Sequence, residues 1–388
     1  MRIFRRCAAL AAALTLLVAP VAAASTGPAV SYRSYTVQTA HGPAVVHLVT
    51  VDLRRADLGL LHPQDIAERA TVSAMTTAQH AVAGVNGDFF NISDAHPGIT
   101  PTGSSVGPEI ADGHDLKFAV PDGQRFGPGM PPGASTKIVF GMGEDRRARV
   151  SSLELTGAIR SAKGVFDVEG LNQYALPVDG IGVYTHDWGE VSRARAACGT
   201  DTDREAACTT ATEEVVVRDG VVTTESGTPG AGEIPPGTVV LVGREKGAGE
   251  LKALDPGDHV SVGSRLREAK VPPFEFAVGG FPILAGGQPL SGLDATTVAP
   301  RTAAGASADG RTAYLLTVDG RTTASTGMSV AEVAAQLRSL GAASGVNLDG
   351  GGSSALAFAD PGQMPTVRNS PSDGIERAVA NGVGAFSR

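Results

Sequence analysis

The chain has 388 residues, of which 50 are Gly and 24 Pro, with 42% hydrophobic and 19% charged residues. A chain of this length buries a sizeable core, and its apolar content excludes disorder, so the abundant Gly and Pro mark the turns of a strand-rich globule. The formal charge of −8, with no block of Lys and Arg, excludes nucleic acid as a partner.

At the start, Arg2, Arg5 and Arg6 precede the apolar run Cys7 to Val18, and Ala22-Ala23-Ala24 supplies an A-x-A site. This is the pattern of a secretory signal peptide over residues 1–24. Its apolar run is shorter than the ~20 residues that cross a bilayer, so no integral membrane segment is expected after cleavage. The twin Arg5-Arg6 leaves Sec and Tat export both open. The expected product is secreted or associated with the cell envelope. In an oxidising compartment the two remaining cysteines, Cys198 and Cys208, pair into a local disulfide. Two cysteines without a nearby His pair make no zinc site; no metal and no other cofactor is expected.

Residues 31–61 hold β-branched runs broken at His41-Gly42-Pro43 and His62-Pro63, which predicts strands. A helix is expected near Ser73 to His80, then an apolar strand Ala81 to Val85 that runs into Asn86-Gly87-Asp88-Phe89-Phe90. From 137 to 267 short strands alternate with turns, including a hairpin at Asp219-Gly220, and this middle third reads as a β insertion. Further on, Arg301 to Ala306 and Thr312 to Val318 flank Asp309-Gly310 as a second hairpin. Ser329 and Glu332 form a capping box for a helix with Val330, Val333, Ala334, Leu337 and Leu340 on one face, ended by Gly341. The strand Val346 to Leu348 then enters Asp349-Gly350-Gly351-Gly352-Ser353-Ser354, with Ala355 to Phe358 as a returning strand. The fold class is α+β: β-rich mixed sheets with a few helices, in a single large domain with the β insertion at 137–267.

Asn347 to Ser354 carries the strongest chemical signal. Three consecutive glycines lose much backbone entropy and pack nothing, so they point to a loop whose amides approach a ligand, against the plainer reading of a flexible hairpin turn. The Asn86-Gly87-Asp88 strand end is either a polar binding edge, with Phe89 and Phe90 against a sugar face, or an Asx-type turn with core aromatics. Arg301, with small neighbours Thr302, Ala303, Ala304 and Gly305, either reaches inward to hold phosphate or ends a strand in solvent, and Arg377 carries the same two readings. Glu332 is already explained by its capping box. Gly103-Ser104-Ser105-Val106-Gly107 matches G-x-S-x-G, but Pro108 and Asp112-Gly113 follow where that elbow needs a helix. The scattered histidines contain no H-E-x-x-H.

Together, Val85-Asn86-Gly87-Asp88-Phe89-Phe90, Arg301-Thr302-Ala303-Ala304-Gly305, the helix with Ala331-Glu332, Asn347-Leu348-Asp349-Gly350-Gly351-Gly352-Ser353 and Glu376-Arg377 resemble the phosphodiester glycosidase family. Order and spacing agree over roughly residues 80–385, most tightly over 301–358; the middle third agrees loosely. The resemblance implies hydrolysis of the bond between an anomeric carbon and a phosphodiester oxygen, as in a diester of N-acetylglucosamine-1-phosphate, with free sugar and a phosphomonoester as products. It further implies Asp349 as the key carboxylate, Glu332 as the second, and Arg301 and Arg377 on phosphate. Gly350, Gly351, Gly352, Ser353 and Ser354 would give amides and hydroxyls, while Asn86, Asp88, Thr302 and Asn347 would contact substrate. The partner is then a glycosyl-phosphodiester or its polymer. The rival reading is a non-catalytic envelope protein that binds glycosyl-phosphate polymers such as teichoic acids.

Overall fold

A computed structural model of the chain describes residues 27–268 and 270–388. The expected signal peptide lies outside the described residues. Two antiparallel sheets form the centre. The larger has seven strands in the order Val30–Thr39, Gly42–Asp52, Thr312–Val318, Arg301–Ser307, Ala342–Asn347, Phe281–Ala285 and Gln288–Pro289. The smaller has five, ordered Thr366–Val367, Leu356–Phe358, Ala83–Asn86, Gly382–Ser387 and Ala56–Leu61.

Strand alternation sends the two faces of each sheet to different cores. In the large sheet Val46, Leu48, Ala303, Leu316 and Val318 face the helix Val330–Ser339 and its buried Val333, Ala334 and Leu337. Their neighbours Val49, Val51, Ala304, Ala306 and Leu315 face the opposite way, towards Ala83, Val85 and Val383 of the small sheet. The outer face of the small sheet, with Leu61 and Ala357, is covered by Val72 and Met75 of the helix Val72–Ala78. The centre is therefore a four-layer sandwich: helix, seven strands, five strands, helix. Leu337 lies over Gly305 and Gly345, where a Cβ at either position would press on its methyl groups.

The chain between these layers builds three further sheets. His114–Lys117, Glu109–Ala111, Phe274–Gly279, Ile138–Gly143 and Ala148–Ser152 make one. Glu154–Ser161, Gly164–Asp167 and Val260–Arg267 make the second. Gly170–Leu171, Ile181–Tyr184, Thr238–Arg244, Thr212–Arg218 and Val221–Ser226 make the third. They share a separate apolar cluster around Ile159, Val183, Val215 and Leu241. The protein is thus a β-rich α+β molecule with three α-helices among the described residues, the short Lys246–Leu251 helix being one the sequence pattern did not announce. No helix among the described residues is long and apolar enough to cross a membrane.

One expected element is different. Leu356–Phe358 does not return beside Ala342–Asn347; it pairs with Ala83–Asn86 in the other sheet. The Asp349–Ser354 segment is therefore no hairpin turn but a crossover between the two central sheets. Its Gly351–Ser353 turn is 3₁₀. The apolar runs on both sides fit either partner strand, so alternation alone does not separate the two pairings.

Candidate functional site

The crossover brings the ends of strands from both sheets to one edge of the sandwich. Arg301 begins its strand opposite Val318, and Asn347 ends its strand opposite Ala303. From the small sheet, Asn86 ends its strand beside them. Its amide nitrogen donates to the Asp349 carbonyl oxygen at 2.7 Å. Its side-chain oxygen accepts from the Thr302 hydroxyl at 2.6 Å and from the Ala355 amide at 3.1 Å. Gly87 completes the tie, since its carbonyl accepts from the Asp349 amide at 2.8 Å.

Asp349 sits in this frame with one carboxylate oxygen accepting from the Gly350 amide at 2.9 Å. Burial pushes its carboxyl up to about 6, against the Ser353 hydroxyl, the Gly350 amide and the Arg377 charge, which all favour the anion. Each of the three glycines that follow is overlaid by an arginine. A Cβ on Gly350 would stand 2.9 Å from the Pro300 carbonyl and 3.7 Å from Cδ of Arg301. One on Gly351, at φ +61°, would stand 3.3 Å from an Arg321 nitrogen. One on Gly352 would collide with the Arg377 guanidinium and with Asp373. The glycine run is thus room for side chains. Its amides are largely satisfied inside the protein: Gly350 to Asp349, Gly351 to Pro300, Ser353 to Gly350 and Ser354 to Gly351. This differs from the expected nest of free donors.

The other expected residues divide. Arg377 pairs with Asp373 at 2.5 Å and reaches the Ser353 hydroxyl at 3.4 Å, which places it at Asp349. Arg301 is buried, and two of its nitrogens donate to the carbonyls of Met328 and Thr297, so it braces the loops around the site. Ser354 Oγ and Asn347 Oδ1 are buried with no hydrogen-bond partner among the described residues.

Asn86 and Asp88 are inside the protein rather than on a sugar-binding edge. Asp88 accepts from the amides of Gly107 and Phe89, and burial pushes its carboxyl up, against the pull of the equally buried Lys117. Phe89 stacks on Phe281 with centroids 4.7 Å apart, and Phe90 is buried under the helix Val72–Ala78, so both aromatics are core. Glu332 turns away from the glycine segment. Its oxygens take the Ser329 amide and hydroxyl of the capping box, His41 Nδ1 at 3.1 Å and the Ala40 amide at 3.2 Å. Ser105 is buried, donates to Glu109, and precedes the strand Glu109–Ala111 instead of a helix, which excludes the serine elbow.

Sequence reasoning missed Arg321, Asp373 and a buried chain behind the site. In that chain His47 Nε2 lies 3.1 Å from Asp319 and Nδ1 lies 2.8 Å from the Tyr32 hydroxyl; Asp319 also accepts from the Ser370 amide at 2.8 Å. Asp319-Gly320-Arg321 follows the strand paired with Arg301, and that position was the available signal. The Cys198–Cys208 disulfide is present. His96 approaches it, with a ring nitrogen and both sulfurs within 4.8 Å of one another, a long-range neighbour that spacing did not reveal. With the sulfurs bonded to each other, no thiolate is offered to a metal.

The model of the phosphodiester glycosidase family matches residues 211–386. A hypothetical protein of Synechocystis shares the fold, with 21% identity and a TM-score of 0.70 over 93% of this chain. The chain spans 62% of that protein. A structure named for an exported protein of Burkholderia pseudomallei K96243 matches at 27% identity and a TM-score of 0.66, over 89% of this chain and 74% of that one. The zebrafish N-acetylglucosamine-1-phosphodiester alpha-N-acetylglucosaminidase catalytic domain, auto-inhibited by its pro-peptide, aligns at 15% identity and a TM-score of 0.46, covering 94% and 86% of the two chains. No curated protein matches. Asp349, its three glycines and Arg301, Arg321 and Arg377 all lie within the residues that match the phosphodiester glycosidase family, 211–386.

Proposed function

We propose that the protein is an exported glycosidase that hydrolyses the anomeric C–O bond of a glycosyl-1-phosphodiester, such as a diester of N-acetylglucosamine-1-phosphate. The observation that carries this reading is the raised carboxyl of Asp349 beside a glycine segment that arginines overlie. The net step places a water hydroxyl on the anomeric carbon, the bond pair leaves on the phosphate oxygen, and the water's remaining proton passes to that oxygen or to solvent. A phosphomonoester is already a good leaving group, so charge stabilisation on its oxygens matters more than proton donation. Arg377 and Arg321 suit that task, because a guanidinium binds phosphate oxygens in a forked geometry. Asp349, ionised above about pH 6, stabilises the oxocarbenium-like carbon, attacks it, or activates the water that does. The disulfide, the secretory pattern at the N-terminus and the likeness to a protein named as exported support action outside the cytoplasm.

The test is incubation with a panel of sugar-1-phosphodiesters, with free sugar and phosphomonoester identified by mass spectrometry. Release by the native chain and none by Asp349→Asn is the expected result. Retained binding of glycosyl-phosphate polymers with no sugar released from any diester would make the protein a binder instead.

A further inference from the structure

Arg377 faces two ways. On one side its guanidinium reaches Ser353 beside Asp349. On the other it lines an open groove of about 460 Å³ together with Ala67, Glu68, Arg69, Thr102 and Val191. On the glycosidase reading, the groove starts at an arginine that would hold the scissile phosphate. Arg69 is exposed there, and among the described residues its side chain has no ion pair or hydrogen bond. Its stem is nevertheless held. Cγ and Cδ lie over Gly103, 3.1 and 3.4 Å from where a Cβ would be, at a φ of +80° that favours glycine. A fixed aliphatic stem with an unengaged guanidinium is a pre-ordered anion contact.

We propose that this groove is the aglycone subsite, and that Arg69 selects aglycones carrying a second phosphate beyond the scissile one. The inference rests on the glycosidase reading for the placement of the first phosphate. Arg377 is balanced by Asp373, so Arg69 is the charge that distinguishes a doubly from a singly phosphorylated aglycone. Glu68 shares the groove and opposes the second phosphate, which gives the subsite a sign that substitution can reverse. The shared chemistry is met by the pyrophosphate of a nucleotide sugar and by the next repeat of a glycosyl-phosphate polymer.

The test compares three substrates with the full chain: a methyl diester of N-acetylglucosamine-1-phosphate, the corresponding uridine diphosphate sugar, and a sugar-1-phosphoglycerol phosphate. Arg69→Ala should raise KM about tenfold on a doubly phosphorylated substrate with kcat unchanged, the size of one charge-assisted hydrogen bond in solvent. The methyl diester should shift less than twofold. Glu68→Gln should lower KM on the same substrate. The arm that responds identifies the source of the second phosphate. Equal effects on all three substrates, or none, overturn the proposal. Calorimetry with glycerol bisphosphate against glycerol phosphate reads the subsite independently of turnover. If the bisphosphate binds no tighter, or Arg69→Ala leaves its advantage intact, the subsite is wrong. If binding follows Arg69 while no diester is cleaved, the glycosidase reading fails and the groove stands.

Discussion

Gly352 lies so close to Arg377 that a single added methyl group would occupy the place of the guanidinium. Gly352→Ala should therefore expel Arg377 from Asp349. The expected result is a fall in kcat/KM of about 100-fold or more, the usual scale for losing one transition-state charge contact. The atoms in the way are the tips of two partly exposed side chains that can swing aside, so stability should change by less than about 1 kcal/mol. Arg377→Ala should reproduce the kinetic loss. Steady-state kinetics and thermal melts of both variants check this, and a fully active Gly352→Ala protein would remove Arg377 from the phosphate.

Asp349 links pH to both stability and rate. Its folded-state carboxyl at about 6 lies above the ordinary 3.8, so the folded protein holds this proton more tightly than the unfolded chain. The group's contribution is consequently most favourable below pH 3.8 and is lost as the pH rises through about 6. Asp349→Asn removes that loss. The variant should be more stable than the native chain at pH 7, by at most about 3 kcal/mol, and equal to it near pH 4. Urea unfolding at the two pH values measures the difference. Native kcat/KM should fall in acid with a limb near pH 6, as the carboxylate takes its proton.

The parts of this arrangement that were legible in the sequence are local ones. The capping box at Ser329 and Glu332, the Asp309-Gly310 hairpin and the apolar face of the helix Val330–Ser339 depend on residues a few positions apart. The Cys198–Cys208 pair followed from cysteine count and compartment. The glycine segment was recognisable as unusual, yet its partners come from far along the chain. Arg321 and Arg377 reach it from other loops, and Leu356–Phe358 crosses to a sheet whose neighbouring strand is Ala83–Asn86. Asn86 and Asp88 show the same limit from the other side. A polar strand end reads identically whether it meets solvent or, as here, the buried ends of another sheet.

Glu332 separates a capping role from a catalytic one. Its carboxyl is held below the usual range: burial raises it, but the Ser329 amide and hydroxyl and His41 outweigh that effect. Glu332→Gln keeps a side chain able to accept from the cap but loses the charge beside His41 and the helix N-terminus. Stability should drop by up to about 1 kcal/mol. Turnover should stay within about threefold of native, because the carboxylate is turned to the hairpin at Ala40 and His41 rather than to Asp349. A loss of several hundredfold in kcat would restore Glu332 as the second carboxylate.

Thr302, Asn86 and Asp349 form the tie that sets the carboxyl between the two sheets. Thr302→Val keeps shape and removes one donor to Asn86, whose oxygen retains the Ala355 amide. The cost should be about 1–2 kcal/mol, with activity little changed. Asn86→Ala is more severe, because it leaves the Thr302 hydroxyl, the Ala355 amide and the Asp349 carbonyl all without their partner in a fully buried position. A loss of about 2–4 kcal/mol is expected, together with a drop in kcat that exceeds any change in KM. The split follows from position: Asn86 touches only the backbone of Asp349, so its loss lets the carboxyl drift without altering the groups available to hold substrate. Denaturant unfolding and saturation kinetics on both variants decide it; a rise in KM alone at Asn86→Ala would mean that Asn86 contacts the sugar after all.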